Sequence, residues 1–80
     1  MTATQARAAR AIARWSVADA AAHSGLTGNT VNRFEQGKGA RMETAVKLRQ
    51  AYEQAGIEFP DERTVRFADS FNSASVAETE

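Results

Sequence analysis

The sequence contains no cysteine, which removes disulfides and thiolate metal sites from consideration. Its single histidine, His23, has no paired acidic cluster, so neither a metal nor a cofactor is expected. With one proline and abundant alanine, helices are favoured over an all-β or disordered chain. No run approaches the ~20 apolar residues that cross a bilayer. The N-terminus also lacks the apolar core of a secretory signal, so a cytoplasmic protein without a membrane partner is expected. Eighty residues bury only roughly 60% of their unfolded surface and supply one core, so stability should be modest and helped by a dimer partner.

The formal net charge is zero, but the two parts of the chain on either side of residue 50 differ. Residues 1–50 hold eight Arg or Lys against three Asp or Glu, net +5, and residues 51–80 hold two against seven, net −5. A phosphate backbone would sit on the first part.

The pattern predicts a mainly α fold, a small bundle of four to five helices with a C-terminal β-hairpin. Thr4 to Arg14 reads as a first helix with Ala6, Ala9, Arg10 and Ala13 on one face. Ser16 followed by Asp19 is an acidic capping box opening a short second helix, and Gly25 stops it. Thr27 caps a third helix of about ten residues that points Val31 and Phe34 inward and stops at Gly37. After the basic connection Lys38-Gly39-Ala40-Arg41, the residues Met42, Ala45, Leu48, Tyr52 and Ala55 outline a fourth helix ending at Gly56. Ile57–Phe59 and Thr64–Phe67 then alternate as two strands around a turn at Pro60–Arg63. The division is residues 1–56 as a helix-turn-helix unit, 57–67 as a hairpin and candidate dimerisation element, and 68–80 as an acidic tail. That tail has only Phe71 and Val76 as anchors and is expected to be disordered.

Two short helices joined by a tight glycine turn, the second with inward apolar residues and an outward polar stripe, meet the physical requirements of a helix-turn-helix. Gly28, Asn29, Asn32, Arg33 and Gln36 fall opposite Val31 and Phe34, and that face carries no acid. Asn and Gln pair bidentately with adenine, and Arg with guanine, in the major groove. Gly28 would let the backbone approach a phosphate or base closely. A polar stripe by itself is more often just a solvated surface.

The string WSVADAAAHSGLTGNTVNRFEQGKG resembles the Cro/CI-type helix-turn-helix family, also called the xenobiotic-response-element family, and the resemblance extends over residues 5–56. Ser16, Asp19, Ala21, Ser24, Gly25, Thr30, Arg33, Glu35 and Gly37 fall where that family has such residues, and Leu26, Val31 and Phe34 occupy its core positions. The resemblance implies a homodimer on a pseudo-palindromic double-stranded DNA operator, acting as repressor or activator with no enzymatic chemistry. Thr27, Asn29, Thr30, Asn32 and Arg33 would face DNA, with Lys38 and Arg41 on phosphates. It also implies a structural ion pair between Arg10 and Glu35. Val17 stands where the family usually has a phosphate-contacting Gln, Ala20 where it has Leu, and Gly28 where a long polar residue is common. These departures imply binding that is weak or dependent on dimerisation.

Val17 and Gly28 keep open an alternative, a protein-binding adaptor of the antiactivator or antitoxin type that uses the same fold or the acidic end to hold another protein; a complex through Phe59, Phe67 and Phe71 would be insensitive to salt. Ser16, Asp19 and His23 share a helical face, but capping accounts for Ser16 better than serine catalysis does. Trp15 is assigned to the core and His23 to the surface.

Overall fold

In the computed structural model, which describes residues 1–39 and 41–68, four helices are followed by a two-stranded hairpin. They are α1 (Ala3–Ala13), α2 (Val17–Ser24), α3 (Gly28–Glu35), α4 (Met42–Gln54), β1 (Ile57–Glu58) and β2 (Arg66–Phe67). The mainly helical fold with a C-terminal hairpin is therefore present. None of the described helices is long and apolar enough to cross a membrane.

Each helix starts at or next to the polar residue that caps it or at the end of a loop. Thr2 and Gln5 form a reciprocal capping box on α1, so that helix begins one residue before the expected Thr4. It closes on Arg14, which adopts a left-handed conformation at φ 62° while the Trp15 amide donates to the Arg10 carbonyl. Ser16 and Asp19 exchange backbone–side-chain bonds of 2.9 and 3.0 Å at the start of α2, and Gly25 ends it at φ 76°. Thr27 caps α3 by accepting from the Thr30 amide. That helix has eight residues rather than about ten, because Gln36 already leaves it and Gly37 turns at φ 79°.

The core gathers Ala6 and Ala9 of α1, Ala20 and Ala21 of α2, Val31 and Phe34 of α3, Leu48 and Tyr52 of α4, and Ile57 and Phe59 of the hairpin. Small alanines on α1 and α2 let the helices approach closely, and the volume is filled by the larger side chains of α3, α4 and the hairpin. On α4 the buried residues are Thr44, Leu48, Ala51 and Tyr52. Met42, expected on the inner face, is instead 81% exposed, because the helix is rotated to seat Thr44 and Ala51. Ala45 is partly buried against the core as expected.

The hairpin pairs Ile57 with Phe67 and Glu58 with Arg66 in antiparallel register. Its turn is organised by the Asp61 carboxylate, which accepts from the Arg63 amide and the Thr64 hydroxyl and is thereby held below the usual carboxylate range. Gln5, almost fully buried, donates from Nε2 to the Asp61 and Thr64 carbonyls at 2.6 and 3.0 Å. This bond ties α1 to the hairpin turn and was not anticipated. Ala68, placed in the expected tail, donates to the Gly56 carbonyl at 2.7 Å. The rest of that tail, with Phe71 and Val76, lies outside the described residues.

Candidate nucleic-acid interface

α3 is held from within and open from without. Its inner side carries Val31 and Phe34, both buried, and Glu35, which is 6% exposed. The Glu35 carboxylate receives a forked pair of bonds from Arg10, Nε to Oε2 at 2.8 Å and Nη2 to Oε1 at 3.0 Å. Arg10 also donates to the Trp15 carbonyl at 3.3 Å, and Arg7 donates to the Glu35 carbonyl. The hydrogen-bonded Glu35 carboxylate raises the Arg10 pKa above its ordinary value, so the guanidinium stays charged. Two arginines of α1 thus clamp the C-terminal end of α3.

Tyr52 stands beside this clamp with its hydroxyl buried and without a hydrogen-bond partner among the described residues. Burial, with the Glu35 charge in addition, pushes its pKa up to about 12. Trp15 stacks on Tyr52 at 5.1 Å and on the exposed His23 ring at 4.2 Å, nearly parallel. Trp15 is thus a partly buried packing residue, and His23 lies on the surface as expected. Ser16 and Asp19 are committed to each other at the helix cap, and Ser16 makes no bond to His23. Among the described residues no group of three His, Asp or Glu is placed to hold a metal ion.

The outer side of α3 presents Asn29, Asn32 and Arg33 to solvent, and Gln36 continues the exposed line just beyond the helix. Thr27 is exposed and Thr30 half-buried, and their hydroxyls bond to each other at 2.9 Å, so both are partly used in capping. Gly28 is half-buried at the first position of α3. Lys38 and Arg41 are exposed on the loop that follows. Arg10, Lys47, Arg49 and Arg66 are paired with carboxylates. In contrast, Arg33, Lys38 and Arg41 make no ion pair among the described residues.

Asn29, Thr30, Arg33 and Arg41 line one polar concavity of about 400 Å³ together with Leu26, Gly39, Glu43 and Thr44. The guanidinium of Arg33 lies over Gly39, 3.5 Å from where a β-carbon would be. Gly39 itself turns at φ 56°, so this close approach and the backbone both favour glycine there. Glu43 was not singled out from the sequence. It belongs to α4, and only the fold brings it beside the acid-free stripe.

Gly28 is not required by the fold. A β-carbon there meets only Val17 Cγ1, at an ordinary 3.7 Å. Gly28→Ala is therefore expected to raise stability by about 0.4–1 kcal/mol through reduced unfolded-state entropy and better helix propensity. Urea denaturation followed by circular dichroism checks this.

The chain matches none of the known protein families and none of the curated proteins with which it was compared.

Proposed function

We propose that this protein is a sequence-specific DNA-binding transcription regulator of the Cro/CI helix-turn-helix type, binding a two-fold operator as a dimer with α3 in the major groove. The observation that carries the reading is the contrast between the two sides of α3. Its inner side is locked by Val31, Phe34 and the Arg10–Glu35 fork, while its outer side is an exposed stripe of amides and one arginine without an acid. A rigid helix with a polar, hydrogen-bonding outer face is what base reading requires.

Within this reading Asn29 and Arg33 contact base edges, with Asn32 and Gln36 further along the stripe. Lys38 and Arg41 contact phosphates, and their lack of internal partners leaves them available for it. The adaptor alternative is weakened at one point: Phe59, on which it relied, is 7% exposed and packs edge-on against Tyr52.

Fluorescence anisotropy on cognate and scrambled duplexes over a range of salt tests the assignment. Arg33→Ala is expected to cost about 1–3 kcal/mol on the cognate site and to relax preference at one base pair. Lys38→Ala should weaken all duplexes alike and lower the salt slope by about one. A complex indifferent to salt, or an Arg33→Ala variant with full selectivity, contradicts the assignment.

A further inference from the structure

Arg41 borders two cavities. One is the polar concavity it shares with Asn29 and Arg33. The other is a pocket of about 290 Å³ where the start of α1, the end of α3 and the start of α4 meet. Phe34 and Ala45, buried and half-buried, line its inner part, and half-buried Met1 and exposed Met42 its outer part. Gly37 adds only backbone to the wall. Among the described residues this lining holds no acid, and its one charged side chain is Arg41. The acid in the first turn of α4, Glu43, lines the other concavity, and the first turn of α1 has none.

An apolar pocket open to solvent is ordinary until something fixes what fills it. Here Arg41 does so. It is the N-cap residue of α4, yet its side chain makes no cap bond, and its guanidinium has no ion pair among the described residues. A neutral hydrocarbon in the pocket would leave those donors unused, and inorganic phosphate would leave the apolar walls wet. An apolar body carrying one carboxylate satisfies both, because arginine takes a carboxylate with two parallel bonds. Size sets the body: an apolar cavity of about 150 Å³ holds benzene, so this pocket has room for one ring and a short acidic arm. The unbranched thioethers of Met1 and Met42 can adjust to such a ring and favour contact with it.

We propose that the pocket between α1, α3 and α4 binds a small aromatic monocarboxylate, with the ring against Phe34, Ala45 and the two methionines and the carboxylate on Arg41. The choice of ligand rests on the pocket alone. Its consequence rests on the DNA-binding reading, in which Arg41 holds a phosphate. A carboxylate on the same guanidinium competes with that phosphate, so the acid and DNA oppose each other, each weakening the other by the same factor.

The chain has two methionines, and both line this pocket, so their isotope-labelled methyl groups report on it directly by NMR. Phenylacetate, titrated into the full chain without DNA at fixed ionic strength, is expected to shift both methyl signals saturably, with a Kd of about a millimolar or below. Phenylacetamide, the neutral counterpart, should bind about fivefold or more weakly. Arg41→Gln should remove that difference while leaving phenylacetamide binding as it was, and circular dichroism verifies that the variant is folded. Absence of saturable shifts, equal binding of acid and amide by wild type, or an Arg41→Gln variant that still prefers the acid would overturn the proposal. In a second arm, saturating phenylacetate should weaken duplex binding of wild type a few-fold by fluorescence anisotropy, and phenylacetamide should not. An acid that binds but leaves DNA affinity unchanged overturns the competition. A protein that binds the acid but no duplex refutes only the DNA-binding reading, and one that selects DNA but shows no methyl shifts refutes only the pocket.

Discussion

Phe34→Ala is expected to destabilise the protein by about 3–5 kcal/mol. Phe34 is 3% exposed and is the largest apolar side chain that α3 contributes to the core. Its neighbours there include the alanines of α1 and α2, which have no atoms with which to refill a cavity. A domain of this size has about 4–12 kcal/mol of total stability, so a loss of that magnitude is decisive. Urea denaturation of the variant followed by circular dichroism should show the midpoint shifted far toward zero denaturant. Met42→Ala is the matched control. At 81% exposure it removes more side chain than a conservative change yet should move stability by less than about 0.5 kcal/mol.

Arg10→Ala should cost about 3 kcal/mol, because it leaves the Glu35 carboxylate, 7% exposed, without its counter-charge. Glu35→Ala should cost less, since the guanidinium left behind is 28% exposed and can be rehydrated. The double variant should be more stable than the sum of the single losses, as removing both partners leaves no buried charge. A full double-mutant cycle by chemical denaturation measures the coupling, and additive losses would show that the fork contributes nothing as a pair. The fork joins α1 to α3, so its loss should also loosen the helix that carries Asn29 and Arg33. On the DNA-binding reading, the folded fraction of Arg10→Ala is expected to bind DNA more weakly.

Much of the local structure was legible in the sequence because its signals are local. Ser16 with Asp19, Gly25 and Thr27 each act within one turn of the chain, and all three took the roles their spacing implied. The inward pair Val31 and Phe34 followed from helical period alone. The Arg10–Glu35 fork is different: 25 residues separate its members, and only a resemblance to a known fold suggested it. No resemblance or period pointed to the bond from Gln5 to the hairpin turn, since its acceptors lie 56 and 59 residues away. Met42 misled because its spacing from Ala45 fits an apolar stripe, whereas the rotation of α4 was set by Leu48, Ala51 and Tyr52 meeting the rest of the core. The left-handed turn at Arg14 left no trace either, for the position lacks the glycine that marks such turns. In the candidate interface, the stripe on α3 was legible from period, but the presence of Glu43 beside it depends on how α4 packs.

Selection of bound sequences from a pool of randomised duplex DNA, at two salt concentrations and with Arg33→Ala in parallel, tests the DNA-binding reading most directly. The expected result is an enriched motif of two related half-sites with centres about 10 bp or a multiple apart, weakened at high salt and blurred at one base pair by Arg33→Ala. Folded wild-type protein that enriches no sequence at low salt would contradict it.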